Sequence, residues 1–148
     1  ASPTPTEGTG EAAEPLCFVR EGRLVRVIRR VPNWPTIETQ VQHLLAGPTV
    51  AEREAGLTSA LAGTMMITSI LLAGGRVTVN LGDDVEGSGR SDEILAFGQL
   101  VCTLTSRSDI RSVSFTRDGQ PLEVPRADGS LARGPLSAAD YASLMPPG

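Results

Sequence analysis

Two cysteines and one histidine are the residues of this 148-residue chain best suited to nucleophilic or metal chemistry. A structural zinc site takes about four ligands and a nucleophile needs a neighbouring base, so Cys17, Cys102 and the distant His43 are too few for either. We therefore expect no catalytic residue, no metal site and no cofactor, and we do not predict an enzyme. His43 lies opposite the apolar positions of its predicted helix, so its side chain should be in solvent.

The cysteines have a second possible chemistry, which is disulfide formation. Cys17 falls on a predicted strand, and Cys102 lies beside the apolar stripe of a predicted helix. In an oxidising compartment a bond between them would tie the strand to the helix. Closing so long a loop stabilises a fold by about 4–5 kcal/mol in the chain-entropy model. The alternative is two buried thiols that never meet.

Charged side chains gather in two places. The acidic loop GDDVEGSGRSDE, residues 82–93, does not follow the spacing of calcium-binding loops, so we interpret it as a solvated loop before a helix. Arginines on the first predicted hairpin form a candidate interaction patch for an acidic partner or lipid headgroups, with Arg26 and Arg30 on one face. Protection of an edge strand is the alternative. The patch comprises Arg20, Arg23, Arg26, Arg29 and Arg30.

Length and composition predict one globular domain, since 40% of the residues are hydrophobic and 148 residues can bury a core. The net charge of -4 argues against nucleic acid as a partner. Residues 1–15, ASPTPTEGTGEAAEP, are too polar to fold and predict a disordered linker, which leaves the domain at residues 16–148. Because the chain opens on this linker without a methionine, we expect an extracytoplasmic protein whose signal peptide has been removed.

Three hairpins are predicted from alternating apolar residues around glycine-containing turns. Glu21 is a poor residue for positive φ, so we expect a longer first turn that Gly22 closes. The other two turns fall at Gly74-Gly75 and Asp118-Gly119. The resulting pairs are Cys17 with Val25, Leu72 with Val77, Ile70 with Val79, Phe115 with Leu122, and Val113 with Val124.

Two helices separate these hairpins. The first begins at Thr36 and ends at Gly47, because Pro48 cannot continue it. Thr49 and Glu52 then form a capping box for one short turn that Gly56 ends. The second helix runs from Ser91 to about Ser106 and buries one stripe of Ile94, Phe97, Val101 and Leu104. The element order predicts an α+β two-layer sandwich, with an antiparallel or mixed sheet and both main helices on one face.

Segments of the chain resemble the GerMN domain, the domain of sporulation and spore germination proteins. They occur in the family's order and define a core at residues 16–125, followed by a C-terminal extension at residues 126–148. The most specific segment is LLAGPT with the glutamate and Gly-Leu pair that follow, which makes Gly47, Pro48, Thr49, Glu52, Gly56 and Leu57 the structural motif. The other segments are CFVREGRLVRVIRRV, GRVTVNLG, LAFGQLVCTLT and VSFTRDGQPLEVP.

The resemblance implies a non-enzymatic envelope domain whose fold is similar to the ring-building modules of spore-secretion complexes. The segment GPLSAADYASLMPPG is similar to the end of actinobacterial members, which are often small lipoproteins outside the membrane. We therefore expect a lipid-anchored domain, with the anchor outside this chain, that binds another envelope or membrane protein, or itself. The alternative is a module that binds a small ligand or a cell-wall glycan.

Overall fold

The computed structural model describes residues 12–33, 36–60, 67–82, 90–107, 109–117 and 119–144, with the backbone alone at 90–93. The helices are α1 (Ile37–Ala46), α2 (Val50–Glu54) and α3 (Arg90–Thr105), and a 3-10 helix spans Ala138–Leu144. The strands are β1 (Ala12–Arg20), β2 (Arg23–Val31), β3 (Ile67–Ala73), β4 (Arg76–Leu81), β5 (Ser112–Arg117), β6 (Gln120–Pro121), β7 (Val124–Pro125) and β8 (Leu131–Ala132). The predicted α+β class is confirmed.

The described strands form three sheets. Strands β1 and β2 form a hairpin, β7 pairs with β8, and a four-stranded sheet has the order β3-β4-β5-β6 with β4 and β5 parallel. The turn at Gly74-Gly75 sets Leu72 opposite Val77, as its residues predicted. The last hairpin is shorter than predicted, because β6 ends at Pro121 and Val113 pairs with Leu136 instead of Val124.

The first hairpin corrects two predictions. Glu21 adopts a φ of 53° and Gly22 a φ of 76°, so the turn has only two residues and Cys17 lies opposite Arg26 instead of Val25. In addition, β1 begins at Ala12, and both Ala12 and Glu14 are buried. The predicted linker at residues 1–15 therefore extends too far, since residues 12–15 belong to the fold.

Helix α3 is the centre of the molecule. The nine residues from Ala96 to Leu104 are all buried, so the helix packs on every side and not only along the predicted stripe. Phe97 meets Phe115 of the sheet edge to face, with ring centroids 4.9 Å apart. On another side a Cβ at Gly98 would lie 2.9 Å from Leu24 Cδ1, so glycine lets the first hairpin approach the helix.

One edge of β1 is buried and needs hydrogen-bond partners. In the register of the hairpin, the backbone groups of Pro15, Cys17 and Val19 point away from β2. Thr103 Oγ1 accepts from the Cys17 N–H at 2.9 Å, and Gln99 Nε2 donates to the Cys17 carbonyl at 3.0 Å. Further along the edge, Gln40 Nε2 donates to the Pro15 carbonyl at 2.7 Å.

Two further contacts join distant parts of the chain to this centre. A disulfide links Cys17 of β1 to Cys102 of α3. Tyr141 is fully buried, and its hydroxyl donates to the Pro125 carbonyl at 2.8 Å. Burial raises the pKa of the Tyr141 phenol well above its ordinary value, because the phenolate would be poorly solvated. The C-terminal segment is thus part of the core.

Substituting valine for Thr103 should destabilise the fold by about 1–3 kcal/mol, because the buried Cys17 N–H would lose its acceptor while the shape of the side chain is kept. Urea unfolding with the disulfide intact measures this free energy. Thr105→Val is the matched control, since the Thr105 hydroxyl donates only to Val101 of its own helix. Equal losses in the two variants would contradict the role given to the buried edge.

Candidate interaction surface

The predicted corner after α1 is built from local backbone chemistry. Gly47 ends α1 with a φ of 90°, a value that favours glycine, and Pro48 prevents another turn. Thr49 caps α2 by accepting from the Glu52 N–H, while the Glu52 carboxylate accepts from the Thr49 N–H at 2.9 Å. Both halves of the predicted capping box are therefore present.

The end of α2 returns the chain to β1. Gly56 has a φ of 93° and donates its N–H to Arg53, while the Leu57 N–H reaches the Glu52 carbonyl at 3.0 Å. These two bonds define a Schellman motif, and Leu57 enters the core behind it. Thr58 then exchanges two backbone hydrogen bonds with Val19, so the motif delivers a partner to the buried edge of β1.

Arg29 of β2 holds this corner in place. Its guanidinium donates to both carboxylate oxygens of Glu52, at 2.8 and 3.2 Å, and to the Gly47 carbonyl at 3.2 Å. Burial of Glu52 disfavours the ionised carboxylate and would raise its pKa. The hydrogen bonds from Arg29 and Thr49 and the positive charge of Arg29 outweigh burial, so the pKa of Glu52 lies below its ordinary value of 4.5. Arg29 therefore has a structural ion pair with Glu52, and its place in the interaction patch stays a prediction.

The remaining arginines of the predicted patch divide between two faces of the hairpin. Arg20 and Arg23 lie directly opposite each other beside the turn, and both are exposed. Arg26 and Arg30 lie on the other face, because side chains alternate along β2. Ile28, which is 42% exposed, separates them. The hairpin therefore presents a strip of arginine, isoleucine and arginine, which we call the β2 strip.

His43 is not simply solvated, as its position on the helix had predicted. Its Nδ1 lies 2.7 Å from one carboxylate oxygen of Glu14, and the Glu14 side chain is completely buried. This partner was hidden because Glu14 falls in the predicted linker. Within the described ranges, no group of three or more histidine, cysteine, aspartate or glutamate residues is placed to hold a metal ion.

Strand β3 presents an open edge of the four-stranded sheet. Leu71 is 67% exposed and Leu72 is 45% exposed, and both are among the large apolar side chains most open to solvent. The backbone groups of Ile70 and Leu72 point away from β4, because these residues form the non-hydrogen-bonded pairs of that ladder. They have no partner among the residues that the structure describes. The edge can therefore accept another strand.

A groove of about 280 Å³ runs between this edge and helix α1. Val41 and Leu45 of α1 line one side, and Ile67 and Ile70 of β3 line the other. Glu38, Gln42 and the hydroxyls of Thr68 and Ser69 complete its wall. No signal in the sequence pointed to this groove, because its two sides are more than twenty residues apart and meet only through tertiary packing.

The predicted acidic loop falls largely beyond these ranges. Asp83, Asp84 and Glu86 of the acidic loop lie outside the described residues, as do the side chains of Asp92 and Glu93. The described helices include none that is both long enough and apolar enough to cross a membrane.

The order of hairpin, helix, capped turn, hairpin, helix and a series of short strands defines a small α+β domain. A family model described as "Germane: Sporulation and spore germination" matches residues 11–123, and the chain belongs to this family. A comparison with proteins of curated function gave no match.

Solved structures share the fold. The first GerMN domain of the sporulation protein GerM from Bacillus subtilis is 19% identical with a TM-score of 0.69, over 87% of this chain and 99% of that one. The tandem GerMN domains of the same protein are 20% identical with a TM-score of 0.68, over 91% of this chain. Our chain spans only 50% of that tandem. A candidate lipoprotein from Clostridium perfringens is 14% identical with a TM-score of 0.58, over 96% and 97% of the two chains.

Replacing Glu52 by glutamine should destabilise the protein at pH 7 by about 1.5–3 kcal/mol, because a charge-assisted pair with Arg29 is lost. Since the folded-state pKa is lowered, the contribution of Glu52 is fully present above pH 4.5 and disappears as the pH falls through that lower value. Urea unfolding at pH 7 and at about pH 3 should therefore show a difference between the proteins that shrinks in acid. Glu54→Gln, at an exposed position of the same helix, is the control. A constant difference would contradict the assignment.

Proposed function

We propose that this protein is a non-enzymatic domain of the cell envelope that binds another protein through the open edge of β3. The observation that carries the proposal is the exposure of Leu71 and Leu72 on a strand whose outward backbone groups have no partner among the described residues. Apolar residues on an unprotected edge are unusual in a protein that acts alone. An edge of this kind binds an extended segment of a partner by strand addition.

The groove beside β3 supports the same binding mode. An added strand would place alternate side chains toward the sheet's inner face, where α1 provides Val41 and Leu45. Main-chain hydrogen bonds to Ile70 and Leu72 would supply affinity, and the groove would select the side chains of the partner. We infer a partner segment that is extended and apolar at alternate positions. It could come from another envelope protein or from a second copy of this domain.

The β2 strip offers a second contact of different chemistry. Arg26 is exposed, Arg30 is partly exposed, and the apolar Ile28 lies between them. A partner with carboxylates spaced along a strand would complement this strip, because arginine binds carboxylate with two parallel hydrogen bonds. Charge at the strip would mainly raise the association rate, whereas the β3 edge would set the lifetime of the complex.

An extracytoplasmic location belongs to the proposal. The disulfide between Cys17 and Cys102 is typical of oxidising compartments, and it lies in the core of the domain. Membership of a sporulation and germination family and the likeness to a candidate lipoprotein point the same way. We propose further that a lipid anchor outside this chain holds the domain at the membrane, so that its β3 edge meets partners there.

Blocking the β3 edge should weaken binding. A photo-crosslinking residue at the exposed position Ser69, in intact cells of the host organism, is expected to give one dominant protein adduct. Leu72→Pro removes an outward N–H without breaking the ladder to β4, and Leu71→Lys places a charge on the edge. Each change should reduce the adduct roughly tenfold, as expected for about 1.4 kcal/mol of binding energy.

Val50→Lys is the matched control, because Val50 is 68% exposed on α2 and lies outside the edge. Light scattering of the purified protein identifies self-association, which would also give an adduct of twice the chain mass. Thermal unfolding of each variant shows that the fold is intact. A full-strength adduct in both edge variants would refute binding through β3, and so would the absence of any protein adduct at Ser69.

A further inference from the structure

The outer face of the four-stranded sheet is polar, as expected of a solvated sheet face, and it carries a cleft. Val77 and Val113 point to the core, so the residues on either side of them point outward. A cleft of about 360 Å³ is lined by four of these outward residues, Arg76, Thr78, Ser114 and Thr116. Outward residues of β4 and β5 lie next to each other in pairs. These pairs are Arg76 with Ser112, Thr78 with Ser114, and Asn80 with Thr116.

The floor of the cleft offers unused hydroxyl groups. Thr78 and Ser114 are neighbours across the parallel pair, both are half-buried, and neither hydroxyl has a partner among the described residues. Thr116 differs, because its hydroxyl donates to Asn80 Oδ1 at 2.7 Å and is thereby held in place. Two neighbouring hydroxyl donors are therefore free to bind a ligand that accepts hydrogen bonds.

Two arginines line the same cleft as these hydroxyls. Arg76 lies two residues before Thr78 on β4, and Arg133, Pro121 and Pro135 belong to the rest of the lining. Arg76 has no ion pair with any residue that the structure describes. Arg133 approaches Glu123 at 3.4 Å, but this pair is largely exposed and such pairs contribute little. None of the described residues that line the cleft is acidic, although the chain as a whole is.

We propose that this cleft binds the phosphoryl group of a small ligand or of an envelope polymer. A tetrahedral oxyanion accepts several hydrogen bonds at once, which suits a cleft lined by two arginines and two hydroxyl side chains. The apolar walls of Pro121 and Pro135 leave room for the organic part of the ligand. Ala73 of β3 lines the cleft but Ile70 and Leu72 do not, so the site does not depend on the protein-binding role of those two residues.

The test is a titration of the folded protein with inorganic phosphate, glycerol 3-phosphate or glycerol, at constant ionic strength, followed by nitrogen–proton correlation spectra. Saturable shifts of the Arg76 and Arg133 Nε–H signals and of the Ser114 amide are expected with the two phosphates, and none with glycerol. Arg76→Gln and Arg133→Gln should each weaken binding tenfold or more, the loss expected for one charge-assisted hydrogen bond. Ser114→Ala should weaken binding to a smaller degree.

Arg53→Gln is the control for the change in net charge, because Arg53 is exposed on α2 and does not line the cleft. Tighter binding of glycerol 3-phosphate than of phosphate would assign the site to a phosphorylated ligand, whereas equal binding would assign it to the phosphoryl group alone. Shifts that remain linear with concentration would overturn the proposal. An equal effect of Arg53→Gln and Arg76→Gln would also overturn it, since the attraction would then be a property of total charge.

Discussion

The structure depends on how the buried outer edge of β1 is satisfied. A strand edge without a neighbouring strand exposes backbone donors and acceptors, and burying one of them without a partner costs about 1–3 kcal/mol. Here α3 supplies Gln99 and Thr103 to the two backbone groups of Cys17, and Cys102 forms the disulfide to the same residue. Residues 99, 102 and 103 lie on one face of a helix, so these three contacts fix its rotation and its height together.

The same constraint explains the broken helix after α1. Val19 is the next residue of β1 whose backbone points outward, and its hydrogen-bond partner is the backbone of Thr58. The turn at Gly47, the capped helix α2 and the Schellman motif at Gly56 bring Thr58 to that position. Arg29 then joins the corner to β2 through Glu52. The local capping interactions and the long-range ion pair thus both position Thr58 to form hydrogen bonds with the backbone of Val19.

The sequence predicted the features whose cause is local. The capping box of Thr49 and Glu52, the end of α1 at Gly47 and the Gly74-Gly75 register all follow from residues within a few positions of each other. Prediction failed at Glu21, because non-glycine residues disfavour positive φ. Glu21 nevertheless adopts a positive φ, which the two-residue turn of the hairpin requires.

Prediction failed also where partners are distant. Gln40, Gln99 and Thr103 are polar residues inside apolar helical stretches, and nothing near them in the sequence marks them as ligands of a strand edge. One error also led to another. Because Glu14 falls in the predicted linker, its contact with His43 was not predicted. The pairing of Arg29 with Glu52 was missed for the same reason, as charge alone placed Arg29 in a surface patch. The groove between α1 and β3 requires the full tertiary arrangement.

Three strand edges in this small domain have three different environments. The β1 edge is closed by side chains and by Thr58, and β2 carries four arginines, a composition that discourages pairing with other chains. Within the described parts of the chain, strand β3 has neither protection, since the seven residues from Ile67 to Ala73 include no charge and two exposed leucines. The β1 edge, by contrast, forms hydrogen bonds with three buried polar side chains, those of Gln40, Gln99 and Thr103. Among the described residues, the apolar and open edge is thus particular to β3, and this contrast is the reason for our proposal that a partner strand binds there.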